Sequence, residues 1–267
     1  MELCLDKKNV SDLKKWFLNY IETFRYEDPD LQQNIDIKRK HTERVAEEIV
    51  NIGKKLGLSD GELNLAEIIA IFHDIGRFEQ YYRYRTFSDH KSEDHAELGI
   101  KILKDNKVLD FAGREIRELI LTAIRYHNRA LLPVNETKTH LFYSRLIRDA
   151  DKLDIWRVVT DYYRSPNHER NSALELELPD DTGISKDVIE SLMNKQIVNT
   201  KHIRNLNDMK LLQAGWIFDI NFKPTIEFIK ERRYMDLMRD VLPQTGEITA
   251  IFNIIGLHLK NYNGTNY

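Results

Sequence analysis

The sequence predicts an all-α fold. Three observations support this: apolar residues recur at intervals of three and four along most of the chain, no segment alternates like a half-buried strand, and the 267 residues include only 11 glycines and 6 prolines. The helix predicted over residues 10–26 shows the pattern, with Leu13, Phe17, Ile21 and Phe24 on one face. A chain of this length can bury a sizeable core.

The remaining helices are predicted in chain order by the same periodicity. A long helix over residues 35–56 is expected to end at Gly57. The next helix opens with a capping box formed by Ser59 and Glu62. Its run over residues 63–75 is apolar almost all round, so it should be buried. Later helices are predicted over residues 92–103, 114–126, 139–163, 185–198, 204–219, 224–241 and 247–262.

Two segments lack a clean period. Residues 81–91 are predicted to form a surface loop; their tyrosines and arginines would suit nucleic-acid binding, and equally the border of a pocket. Residues 166–183 are predicted to be an irregular insertion. We therefore divide the chain into a helical core with an N-terminal helix, residues 1–165, and the insertion with a helical C-terminal extension that packs on the core, residues 166–267.

Composition excludes several classes of function. The formal net charge of −3 gives no electrostatic case for general nucleic-acid binding. The single cysteine, Cys4, allows neither an intramolecular disulfide nor a thiolate metal cluster. The N-terminal segment lacks the apolar region of a secretory signal, and no apolar run is long enough to span a membrane. These features predict a soluble, cytoplasmic protein.

Metal-ligating residue types are spaced along the core about one helix and one connection apart, so that a helical bundle could direct them to one centre. They are His41, the adjacent pair His73 and Asp74, His95, His127 and Asp151. Mixed imidazole and carboxylate ligands favour a transition metal over Mg²⁺ or Ca²⁺. The apolar run before His73 and Asp74 makes an ionised carboxylate costly unless a cation or hydrogen bonds meet it.

The order H…HD…D, with the flanking segments HTERVAEEI, FHDIGRFE and IRDADKLD, resembles the HD-domain superfamily of metal-dependent phosphohydrolases over residues 36–163. The resemblance implies an HD-domain helical bundle, here with additional C-terminal helices. It also implies one metal ion on His41, His73, Asp74 and Asp151. His95 and His127 stand where branches similar to the HD-GYP and cyclic-nucleotide phosphodiesterases add ligands, which implies a second ion with Asp74 bridging.

The implied activity is hydrolysis of a phosphomonoester or phosphodiester, with a nucleotide as the expected substrate, by water that one or two ions of Mn, Fe, Co, Ni or Zn activate. Asp74, Arg77 and Lys152 are the predicted catalytic residues, and Arg77, His90, Arg148 and Lys152 the predicted substrate contacts. The GYP signature is absent and Arg77 replaces a common lysine, which argues against a cyclic dinucleotide. The partner would be a small molecule, and the long helical tail makes a homodimer plausible.

Two alternative functions remain open. Some HD folds, similar to inositol oxygenase, use a His/Asp di-iron centre to activate oxygen, and six ligands would allow this. A nucleotide-sensing module with a structural metal is the other, although binding alone does not require an open metal position. The remaining histidines are predicted to be solvated or hydrogen-bonded: His140, His168, His202 and His258.

Overall fold

The computed structural model describes residues 4–165 and 170–262, and these residues form helices and connections with no strand, which confirms the all-α prediction. Short 3₁₀ turns occupy Asp89–Lys91, Thr200–His202 and Trp216–Asp219. The α-helices are α1 (Lys7–Ile21), α2 (Pro29–Lys55), α3 (Asp60–Phe72), α4 (Ile75–Tyr84), α5 (His95–Asp105), α6 (Arg114–His127), α7 (Lys138–Arg164), α8 (Ser172–Glu175), α9 (Lys186–Met193), α10 (Leu206–Gly215), α11 (Lys223–Glu231), α12 (Tyr234–Asp240) and α13 (Gly246–Asn261).

The helices group into two compact units, Met1–Asp154 and Ile155–Tyr267. The boundary predicted from the sequence lies at residue 165, just after the end of α7. The two units divide within α7, which contributes residues to both. Residues 166–169, with which the predicted insertion begins, lie outside the described residues. The part of that segment that is described contains the single turn of α8.

Helix α3 is the centre of the first unit, where it packs against α1, α2 and α6. Its last eight residues, from Leu65, include seven buried side chains, which agrees with the nearly continuous apolar run in the sequence. The Ser59 side chain accepts from the backbone N–H of Glu62, and the Glu62 carboxylate accepts from the backbone N–H of Ser59, so the predicted capping box is confirmed. Burial of α3 fixes its C-terminal end inside the bundle.

The close approach of α4 to α5 depends on glycine. A Cβ atom at Gly76 would lie 2.1 Å from the carbonyl oxygen of His95 and 2.8 Å from the backbone nitrogen of Gly99. Both are backbone atoms, so no side-chain rotation could relieve the clash. Gly76 therefore allows the start of α4 to contact the start of α5, and this contact joins two segments that carry candidate ligands.

Several predicted boundaries are wrong; the helix predicted over residues 185–198, for example, ends at Met193. Residues 81–84 belong to helix α4, not to a loop, because Tyr81 is buried at 3% exposure and extends the apolar face of Ile75 and Phe78 at a spacing of three. The helix ends where Arg85 adopts a left-handed conformation, with φ of 57°. The helix predicted over residues 224–241 is two helices, since Arg233, with φ of 56°, separates α11 from α12.

The second unit has its own core, formed by buried apolar side chains of α9 to α13 such as Leu192, Ile226 and Ile251. The fully buried Asp208 accepts hydrogen bonds from the backbone and hydroxyl of Ser185 and from the backbone of Arg204, which ties the segment before α9 to α10. None of the described helices combines the length and the apolarity that a membrane crossing requires.

Candidate metal centre

Helices α2 to α7 place the six predicted ligands. His41 lies midway along α2, His73 and Asp74 form the junction between α3 and α4, and His95 is the first residue of α5. His127 ends α6, and Asp151 lies within α7. The first five are buried at 6% exposure or less, whereas the Asp151 side chain is 17% exposed. The structure thus brings all six side chains together, although they span 111 positions of sequence from His41 to Asp151.

The first half of the cluster surrounds the Oδ2 oxygen of Asp74. The Nε2 atom of His41 lies 3.6 Å from this oxygen and 3.1 Å from Oδ1 of Asp151. The Nε2 atom of His73 lies 3.7 Å from each of the same two oxygens. Ligand atoms about 2.0–2.2 Å from a shared ion are themselves roughly 3.0–3.6 Å apart, so these separations suit one transition-metal ion.

The second half surrounds the other oxygen of the same carboxylate. Oδ1 of Asp74 lies 3.3 Å from Nε2 of His95 and 3.6 Å from Nε2 of His127. The two imidazole nitrogens are 3.0 Å apart. His41, His73 and Asp74 form one group able to hold a metal ion, and Asp74, His95 and His127 form another. Asp74 therefore presents one oxygen to each of two candidate cation positions.

In each of the four histidines of the cluster, the ring nitrogen that points away from the centre, Nδ1, lies at hydrogen-bonding distance from an acceptor. Nδ1 of His73 donates to the carbonyl of Ala70 at 2.7 Å, and Nδ1 of His127 donates to the carbonyl of Ile124 at 2.6 Å. Nδ1 of His41 lies 2.7 Å from a carboxylate oxygen of Asp154. Nδ1 of His95 lies 2.8 Å from Asp89.

Because these acceptors have no proton to give, each neutral imidazole carries its hydrogen on Nδ1 and directs the lone pair of Nε2 inward. The Nε2 atoms of His41 and His73 are buried without a hydrogen bond of acceptable geometry. Two lone pairs face each other between His95 and His127. Such orphaned and opposed acceptors fit one bound cation in each half, which would satisfy the two imidazole nitrogens there.

The charges in the centre favour metal binding. Burial opposes ionisation of Asp74, but Lys38 and the neighbouring histidines outweigh it and hold the pKa of Asp74 well below its ordinary value. The pKa of Asp151 is likewise depressed, because His41 and His73 outweigh burial. Burial and Arg77 lower the pKa of His95 to about 4, so this imidazole is neutral at neutral pH.

His41 differs from His95 in the direction of its shift. Burial and Lys38 lower the pKa of His41, but the carboxylates of Asp151 and Asp154 outweigh them and the net shift is upward. The first half is thus rich in negative charge, whereas the second half presents a neutral imidazole beside the shared carboxylate.

The predicted substrate contacts have different surroundings. Arg77 donates from one guanidinium nitrogen to Gln80, to the carbonyl of Phe87 and to Asp89, so it braces the segment before α5. Its Nε atom lies 3.6 Å from Oδ1 of Asp74, which keeps a positive charge beside the second half.

Arg148, Lys152 and His90 do not share one environment either. Arg148 is 4% exposed and donates to the carbonyls of Tyr126, His127 and Arg129, so this guanidinium caps the end of α6 instead of facing open solvent. Lys152 is 8% exposed next to Asp151, and His90 is exposed in the 3₁₀ turn before α5. Substrate contact by these residues stays a prediction.

The other histidines take no part in the candidate metal groups among the described residues. His140 pairs with Glu136 at 2.9 Å, and His258 packs against the rings of Phe218 and Tyr262. His202 is partly buried near the 3₁₀ turn after α9. His168 lies outside the described residues.

Three charged residues of the centre were not predicted from the sequence: Lys38, Asp154 and Asp89. Lys38 donates to Oδ2 of Asp74 at 2.7 Å and lies one helical turn before His41, and Asp154 lies one turn after Asp151. Residues three positions apart lie on the same face of a helix, so the spacing of Lys38 and Asp154 from the predicted ligands could have identified both residues. Asp89 contacts His95 from an irregular segment, so its spacing carries no such signal.

Comparison with known families agrees with the geometry. A family model described as the HD domain matches residues 39–156, a segment that contains all six candidate ligands. No curated protein and no solved structure matches the chain. HD domains bind divalent metals and are generally hydrolases. Residues 39–156 are therefore an HD domain, of the superfamily of metal-dependent phosphohydrolases.

Proposed function

We propose that this protein hydrolyses a phosphomonoester or phosphodiester, with a nucleotide as the substrate class, at a centre of two divalent transition-metal ions. The observation that carries the proposal is the position of Asp74, whose Oδ2 faces His41 and His73 while its Oδ1 faces His95 and His127. A carboxylate that serves two imidazole pairs in this way suits a bridging ligand. Paired ions are a common arrangement for phosphoryl transfer.

The side chains have separate tasks in this reaction. When bound, the ions supply an activated water as nucleophile and neutralise charge that develops on the phosphoryl oxygens. Asp74 would hold an ion through each of its two oxygens, and Asp151 would add a negative ligand on the side of His41. Asp154 and Asp89 orient His41 and His95, so the chain itself supplies the preorganisation. No nucleophilic side chain is needed.

The charges around the centre support an anionic substrate. Lys38 and Arg77 lie on either side of Asp74, and Lys152 follows Asp151 directly. Because the whole chain has a formal net charge of −3, only these nearby cations would attract an anionic substrate. Such a site suits a small phosphate ester better than a long nucleic acid. The site would therefore select its substrate by contacts to one phosphate and to the group that the phosphate carries.

The experiment compares two carboxylates. Metal-free protein is loaded separately with Mn²⁺, Fe²⁺, Co²⁺, Ni²⁺ and Zn²⁺ and offered an aryl phosphate, an aryl phosphodiester and a panel of nucleotides. We expect Asp74→Asn to lower kcat/KM roughly 100-fold or more, because the change removes the charge that both metal positions share. A 100-fold loss corresponds to about 2.8 kcal/mol of transition-state stabilisation. Asp105→Asn, an exposed change on α5, should leave kcat/KM unaltered.

Failure to release product with any ion, while elemental analysis shows the ion bound, would contradict the proposal. The His/Asp set also suits a di-iron oxygenase, so one arm of the experiment tests that function. Protein loaded with iron without oxygen and then exposed to oxygen would change its optical spectrum and consume a diol or a phosphonate if it were an oxygenase. Under the proposal it consumes neither substrate. A change of spectrum alone does not distinguish the two functions, because ferrous ions oxidise in air without turning over a substrate.

A further inference from the structure

Lys38 holds the oxygen that the first metal position requires. Its ammonium lies 2.7 Å from Oδ2 of Asp74, and this oxygen faces Nε2 of His41 at 3.6 Å and Nε2 of His73 at 3.7 Å. A divalent ion held by both imidazoles and the carboxylate would bind the same oxygen. Two cations on one carboxylate oxygen repel strongly where water is largely excluded, so the ammonium and the ion compete for it.

The surroundings of Lys38 allow its ammonium to move. The side chain is 18% exposed, so it lies at the edge of the centre and not under it. Among residues 4–165 and 170–262, no second acceptor is within hydrogen-bonding distance of the ammonium, whose other close contact is the Phe87 ring, with its centroid 5.5 Å away. A lysine has a flexible stem and a compact charge, so it can change partner at low cost.

Arg77, the other cation beside Asp74, cannot move in the same way. It donates to Gln80, Phe87 and Asp89, and those contacts hold the segment that orients His95. The two cations therefore differ in role: Arg77 is fixed to the scaffold, whereas Lys38 has Asp74 as its ion-pair partner. If a metal ion displaced the ammonium from Asp74, the flexible Lys38 side chain would keep it close to that ion. A substrate phosphate would arrive at the same place.

We propose that Lys38 is the counter-ion of Asp74 in the metal-free protein and that it binds a phosphoryl oxygen of the substrate once a metal ion has taken its place. This rests on the proposed phosphohydrolase function. Lys38 then acts twice: it neutralises a buried carboxylate before the ion arrives, and it adds positive charge on the substrate side afterwards. The ion and the lysine use the same oxygen in turn.

The test uses the full chain and two lysines of helix α2. Metal-free wild type, Lys38→Gln and Lys40→Gln are titrated with Co²⁺, and binding is followed by visible absorption. The cobalt-loaded proteins are then titrated with inorganic phosphate, which is read from the same spectrum. Lys40 is exposed, so Lys40→Gln makes the same change of charge two residues away from Lys38 and should behave as wild type.

For Lys38→Gln we expect Co²⁺ to bind about five-fold more tightly or better, because a competitor has gone, and phosphate to bind about ten-fold more weakly, because a charge-assisted hydrogen bond has gone. The spectrum at saturating cobalt should match that of wild type, since Lys38 is not a ligand. A cobalt or phosphate affinity equal to that of Lys40→Gln, or an altered saturated spectrum, would overturn the inference.

Neither titration requires turnover. A wild-type protein that binds cobalt and phosphate but hydrolyses no ester would contradict the proposed function and leave the binding role of Lys38 to be decided by the two affinities. An active enzyme whose Lys38→Gln variant keeps both affinities would overturn the inference about Lys38 alone.

Discussion

At the scale of residues, the two halves of the centre are built alike. Each has one histidine whose Nδ1 meets a carboxylate, His41 with Asp154 and His95 with Asp89. Each also has one histidine, His73 or His127, whose Nδ1 donates to a carbonyl three residues earlier. A carboxylate increases the basicity of the imidazole more than a carbonyl does, so His41 should be the stronger histidine ligand of the first half.

This difference predicts the effect of Asp154→Asn. The change keeps the shape of the side chain but removes the negative charge beside Nδ1 of His41, so metal affinity should fall about 10- to 100-fold. Competition with a chromophoric chelator measures it. Asp161→Asn, an exposed change on the same helix, is the control. Because Asp154 also pairs with Arg44, urea unfolding of the metal-free variant shows how much of the change is lost stability. An affinity equal to that of the control would contradict the prediction.

At the scale of elements, helix ends determine where four of the six ligands lie: His73, Asp74, His95 and His127. His73 follows the last residue of α3 and His127 is the last residue of α6, so each has a carbonyl of the final turn within reach of Nδ1. His95 begins α5, and the positive end of a helix disfavours a protonated imidazole. This agrees with the depressed pKa of His95. His73 and His127 are therefore oriented by backbone carbonyls that the helix ends leave unpaired.

The contact of α4 with α5 predicts the effect of Gly76→Ala. A Cβ atom at this position would clash with the backbone at His95 and Gly99, so the free energy of unfolding should fall by about 2 kcal/mol or more, and affinity at the second metal position should fall with it. Gly256→Ala is a matched control, since this exposed glycine of α13 has no atom within 4 Å of a built Cβ.

Because alanine is the better helix former, Gly256→Ala should raise the free energy of unfolding by up to about 1 kcal/mol. Urea unfolding of the metal-free proteins compares the two variants. If Gly76→Ala and wild type had equal free energies of unfolding, α4 and α5 could separate without cost. That result would contradict the close packing of the two helices at Gly76.

At the scale of the whole molecule, all six candidate ligands belong to the unit Met1–Asp154. An ion that binds the folded state and not the unfolded state stabilises the folded state. The gain is about 2.7 kcal/mol when the free ion concentration is 100 times the dissociation constant. Metal binding also removes the cost of buried, uncompensated acceptors. Stabilisation should therefore be concentrated in the unit that contains the centre.

Hydrogen exchange read by mass spectrometry, with and without Mn²⁺, tests this expectation. Chelation should reduce protection in α2 to α6 and in the first part of α7, while α9 to α13 keep theirs. A uniform loss of protection over both units, or no loss at all, would contradict it. The zinc-loaded protein provides a second ion for the same comparison.

The sequence was enough to predict the helical class, the buried α3 with its capping box, the resemblance to the HD domain and the positions of six candidate ligands. These features depend on local periodicity and on residue types at particular spacings, which the chain displays without folding. Packing between helices determines which acceptor each histidine contacts, that Asp74 offers one oxygen to each half, and that Lys38 rather than Arg77 contacts its Oδ2. It also determines the helical state of residues 81–84, which depends on burial of Tyr81. The physical reason is that these contacts join side chains from different helices, and their distances follow from packing, which spacing along one chain does not encode.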